Sequence, residues 1–157
     1  MAHILAVVLL ALSRGFVATP GDSLVLEVGA RVEVLRAADI AALPHDTVRW
    51  DYHGTPHVYS GVSLLVLLRH VGVPIDSLRG RDMTKRVVVE AADGYRAVFA
   101  MAEVAPGIGA RVVLLADRED GQPLPDAVGP FRLVVPGDGG GMRGVRQVVA
   151  LRVRDEP

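Results

Sequence analysis

At 157 residues, half of them hydrophobic, the chain is long enough for one domain around a single core. A formal net charge of −1 and 4% aromatic residues argue against a nucleic-acid partner, which calls for a basic surface and rings for base stacking. The absence of cysteine excludes disulfides, thiolate zinc sites, iron–sulfur clusters, a cysteine nucleophile and any cysteine-ligated metal in one step.

The chain opens with an apolar run from Ile4 to Leu12, too short for a bilayer span of about 20 residues. It matches the apolar region of a secretory signal peptide with cleavage near Ala18. The expectation is a signal peptide over 1–18, a single domain over 19–157, a periplasmic or extracellular location, and no membrane span in the mature form. The lack of a basic residue before the run, and Phe16 three positions from the cut, leave a buried N-terminal strand or helix as the alternative.

From Leu24 the pattern turns to short strands. Leu24 to Val28 and Arg31 to Leu35 alternate around Gly29, and a brief helical turn follows, closed by Pro44. Val48 to Tyr52 alternates as a strand, and a second strand follows Gly54 and Pro56. The clearest helix begins at Ser63, a capping residue, and places Leu64, Leu67, Leu68 and Val71 on one face before Gly72 and Pro74 end it. Two apolar runs around Asp93-Gly94 predict a hairpin whose turn has positive φ. A helical turn stopped by Pro106, a strand from Arg111 to Ala116, a polar loop to Pro130, and two strands starting at Phe131 and Val145 complete the series. About nine short strands and one good helix predict an α+β domain of mixed, largely antiparallel β-sheets with a few short helices.

Between those last two strands lies GDGGGMRGVR, the stretch richest in chemistry. Gly137, Gly139, Gly140 and Gly141 permit converging backbone N–H groups, and Arg143 and Arg146 supply guanidinium forks, so the loop is a candidate anion site. It matches neither a P-loop nor a dinucleotide fingerprint. The alternative is a plain connection with its arginines in solvent or paired with carboxylates such as Asp138. His45, His53 and His57 cluster in sequence, but with only Asp46 and Asp51 nearby they form no recognisable ligand set, and no metal site is assigned. Glu90 and Glu103 stand isolated, Asp93 belongs to a turn, and no serine sits in a nucleophile motif.

Three stretches carry a resemblance: YSGVSLLVLLRHVGVP, VVVEAADGYRAVFAMAEV, and DGQPLPDAVGPFRLVVPGDGGGMRGVRQVVALRV. Together, over roughly Leu24 to Val153, the chain resembles the oxidoreductase molybdopterin-binding domain of sulfite oxidase-like proteins. The resemblance implies a molybdopterin cofactor, with Arg143 and Arg146 on the family's two basic, pterin-contacting positions and Gly141 on the glycine before them. The family's molybdenum-ligating cysteine has no counterpart here, and the HGTPHV segment is too short to hold the loop that carries it. Two expectations result. One is an exported family member that binds a pterin or another anionic small molecule at the glycine loop. The other is a degenerate, non-catalytic scaffold that serves as a protein-interaction module of the cell envelope.

Overall fold

In the computed structural model, which describes residues 22–52 and 54–155, two five-stranded sheets share one main core. The expected signal segment 1–18 and His53 lie outside the described residues. The first sheet combines β1 (Ser23–Val28), β2 (Arg31–Arg36), β5 (Arg86–Ala91), β6 (Arg96–Ala100) and β10 (Val148–Arg154) in the order β2-β1-β10-β5-β6. The second runs β3 (Asp46–Tyr52), β4 (Thr55–Ser63), β7 (Leu114–Glu119) and β8 (Gln122–Pro123), with β9 (Arg132–Val134) also paired to β7. Among the described residues β1 and β10 form the parallel pair, and the remaining pairings are antiparallel. The mixed, largely antiparallel α+β architecture expected from the sequence is therefore the one observed.

The helices are short: α1 (Ala37–Ala41), α2 (Leu64–His70) and α3 (Met101–Val104). Ser63 caps α2 as its spacing predicts, its Oγ accepting from the Val66 N–H at 3.3 Å. Leu64, Leu67, Leu68 and Val71 all face the core and are 5% exposed or less. Burying each of the three leucines stabilises the fold by about 1.5–3 kcal/mol before entropy is charged against it.

The middle strands of the second sheet are covered on both faces, because successive strand residues point to opposite sides. Leu115 and Leu133 join the main core, while their neighbours Leu114 and Val134 join a second cluster with Trp50, Tyr59, Ala116 and Leu124. The strand expected from Arg111 starts instead at Leu114 and continues to Glu119, into what the sequence presents as polar loop. There Asp120 (φ 50°) and Gly121 (φ 79°) turn the chain into β8, a tight hairpin hidden in a run of polar residues. The β5–β6 hairpin forms as expected, but only Gly94 of the Asp93-Gly94 pair has positive φ.

Candidate functional site

The glycine loop leaves β9 through Pro136 and makes a single 3-10 turn over Gly139–Gly141, with Gly137 and Gly141 at φ 85° and 61°. It returns past Trp50: a Cβ on Gly144 would stand 2.9 Å from Trp50 Cη2 and 3.0 Å from the Gly141 carbonyl oxygen, so glycine is required there by space. The Gly144 N–H closes the turn on the Gly141 carbonyl at 2.9 Å.

The two arginines part company. Arg143 lies with its guanidinium carbon 4.6 Å from the centroid of the buried Phe99 ring. Its Nε and Nη2 donate to Asp138 at 2.7 and 3.0 Å, and its Nη1 donates to both Glu103 oxygens at 3.3 and 3.1 Å. Arg111 closes a ring, its Nη1 donating to Asp138 at 2.6 Å and its Nε lying 3.6 Å from Glu103. Two guanidinium groups and two carboxylates thus neutralise one another at the mouth of the loop. The hydrogen bonds from Arg143 hold the Asp138 carboxyl below the ordinary carboxylate range, against the opposing effect of burial. The same bonds push Arg143 upward, so it stays charged at every accessible pH. The Arg143 side chain is only 29% exposed. Glu103, isolated in sequence, is the ring's second anion and also accepts the Ala100 N–H at 3.0 Å.

Arg146 is exposed and lines a separate shallow cavity of about 240 Å³ with Asp93, Tyr95, Met142 and Gly144. The larger cleft, about 450 Å³, is lined on its polar side by Asp22, Asp117, Asp126 and Gln147, and on its apolar side by Leu124, Phe131 and Val148. Among the described residues no arginine or lysine lines it. Its Asp117 is bonded by His45 Nε2 at 3.2 Å, while the carboxylate's other oxygen is buried without a hydrogen-bond partner among the described residues.

A second polar chain crosses the second sheet. Arg132, 4% exposed, sits 5.0 Å from the Trp50 ring centroid and 5.5 Å from that of Tyr59, and its Nη1 donates to the Tyr59 hydroxyl at 3.3 Å. Burial raises the Tyr59 hydroxyl's pKa, and the neighbouring Glu119 carboxylate adds to the shift. At the surface, His57 Nδ1 meets Asp120 Oδ2 at 2.7 Å and Glu119 Oε1 at 3.2 Å. The partners of His57 come from a turn more than sixty positions away, beyond the local cluster of His45, Asp46 and Asp51 that the sequence presents. The visible signal for Arg132 was a charge inside the otherwise apolar strand FRLVV.

Comparison with known proteins decides the family: the description "Oxidoreductase molybdopterin binding domain" matches residues 29–157. The chain belongs to this family. Among solved structures, the crystal structure of the sulfane dehydrogenase SoxCD from Paracoccus pantotrophus aligns with a TM-score of 0.67 at 24% identity. That alignment covers 88% of this chain and 39% of that one, so this molybdopterin-binding-domain protein spans about two-fifths of its structural relative. At this identity the likeness is one of fold. No curated protein matches the sequence.

Proposed function

We propose that this chain is a non-catalytic member of the molybdopterin-binding-domain family, an exported binding or accessory module that keeps the fold without seating the cofactor. The observation that carries the reading is the closed ring of Arg143, Asp138, Arg111 and Glu103. An anionic pterin does not fit residues arranged this way. Its phosphate would have to strip Arg143 from two carboxylates already bonded to it, and would then face both of them sharing Arg111 alone. Among the described residues the larger cleft offers three aspartates and no arginine or lysine, again the wrong sign for such a ligand. The sequence also supplies no thiolate to hold molybdenum in an open coordination geometry. Export rests on the apolar run from Ile4 to Leu12.

The competing reading, an anionic ligand at the glycine loop, draws on the positive φ of Gly137 and Gly141, which suits a backbone anion nest. One experiment separates the two. Protein made in a host that synthesises molybdenum cofactor is assayed for molybdenum by elemental mass spectrometry and for pterin by fluorescence after oxidative release. The expected result is a folded protein with neither. Near-stoichiometric pterin, with or without the metal, would overturn the reading and return the loop to cofactor binding.

A further inference from the structure

The glycine loop does not exhaust the molecule's chemistry. At the outer end of the β4–β7 pair three side chains of metal-ligand type converge: His57, Glu119 and Asp120, whose ligand atoms all lie within 4.8 Å of one another. Among the described residues this is the single such group. We infer that these three residues form a binding site for a divalent transition-metal ion of the zinc type. This goes beyond the accessory-module reading and stands apart from the loop on which that reading rests.

The spacing suits a metal. Ligands about 2.0–2.2 Å from a tetrahedral ion are about 3.4 Å from each other. The two edges measured from His57 Nδ1 are 2.7 and 3.2 Å, so small side-chain rotations open the triangle around an ion. One imidazole and two carboxylates make a borderline donor set, preferred by zinc and its neighbours over calcium or magnesium, which favour all-oxygen cages. Three protein ligands leave a fourth position for water.

The outer shell is already built. Asp120 Oδ1 accepts the Val58 N–H at 2.9 Å, which aims Oδ2 at His57, and the Asp120 N–H donates to the Val58 carbonyl at 2.7 Å. That bond fixes the residue at its positive φ of 50°. Glu119 lies close enough to the Tyr59 hydroxyl to raise its pKa, and Tyr59 is held in turn by the buried Arg132. Partners of this kind orient ligands in natural metal centres, and losing one there costs about 10–100-fold in affinity. The Tyr59 ring also meets the His57 ring edge-on, centroids 6.3 Å apart. His57 and Glu119 are roughly a quarter exposed and Asp120 about half, so an ion can enter from solvent without unfolding the sheet.

The test uses the full chain without an affinity tag, stripped by chelator and titrated with zinc chloride by calorimetry. One equivalent should bind with a micromolar Kd. His57→Ala and Asp120→Asn should each weaken binding at least about tenfold, in line with the loss of a ligand or its support. A His45→Ala/His70→Ala variant should bind as the parent does. Cobalt(II) should give visible absorption bands in the parent that His57→Ala removes. Circular dichroism checks that each variant is folded; if His57→Ala is not, Asp120→Asn and Glu119→Gln carry the comparison. No binding near one equivalent, or affinity unchanged in the folded ligand variants, would overturn the site. The molybdenum and pterin assay reads a different element and a different locus, so either proposal can fail alone.

Discussion

Gly61→Ala is expected to cost about 3 kcal/mol, at or above the upper end of ordinary overpacking, and to lower Tm by about 10 °C. Gly61 lies in β4 opposite Ala116 of β7, where the register slips after Ser60. A Cβ there would lie 2.6 Å from Ala116 Cα and 2.8 Å from the Leu115 carbonyl carbon, with the Leu115 oxygen nearer still. These are backbone atoms of a strand fixed on its other edge by β9, so no side-chain rotation relieves the clash. The strands must separate, which breaks ladder bonds and opens both hydrophobic clusters that Leu114 and Leu115 serve. Gly107→Ala is the control, since a Cβ there meets nothing within 4 Å, and it should leave Tm nearly unchanged. Thermal unfolding followed by circular dichroism compares them. A Gly61→Ala protein as stable as the parent would mean that β4 and β7 are not packed as described.

The second large effect belongs to Asp138. Its side chain is 15% exposed and takes charged hydrogen bonds from Arg143 and Arg111. Asp138→Ala leaves two half-buried cations sharing Glu103 alone and should cost about 2–3 kcal/mol at neutral pH, with Arg143→Ala similar. The pH dependence has a definite sign. The folded-state pKa of Asp138 is depressed, so its contribution is fully present above the unfolded carboxylate value of about 3.9 and is lost as pH falls through the lower folded value. The gap in stability between parent and Asp138→Ala should therefore be constant near neutrality and close in acid below about pH 4. Urea unfolding across that range measures it. A gap that persists undiminished in strong acid would show that Asp138 acts through packing and not through charge.

These residues also show how far the sequence could be read. Local signals were legible where one element carries its own instruction: Ser63 before the leucine stripe of α2, or the alternation of β1 and β2. The glycine loop was legible as a loop, and its arginines as cations. What the arginines do was not legible, because Asp138 is near in sequence while Glu103 and Arg111 arrive from forty and thirty-two positions upstream. Charge pairing of that kind depends on tertiary placement and leaves no local pattern. The β7–β8 hairpin escaped for another reason. Its strand residues Arg118 and Glu119 are polar and its partner strand contains Pro123, so propensity pointed to loop while pairing with β4 decided otherwise.

The pairing of β1 with β10 sets the order in which this protein can assemble. Val25 lies beside Ala150, 125 positions away, and β10 is the middle strand of the first sheet. Until residues 148–154 arrive, β1–β2 and β5–β6 are two separate hairpins with unpaired edges. The ribosome therefore releases the segments of both hairpins before the sheet is able to close. Closing contacts so distant puts folding on the slow scale of non-local β-topologies, about milliseconds to seconds. During that interval the open edges of the hairpins are where a chaperone would have to act to prevent aggregation.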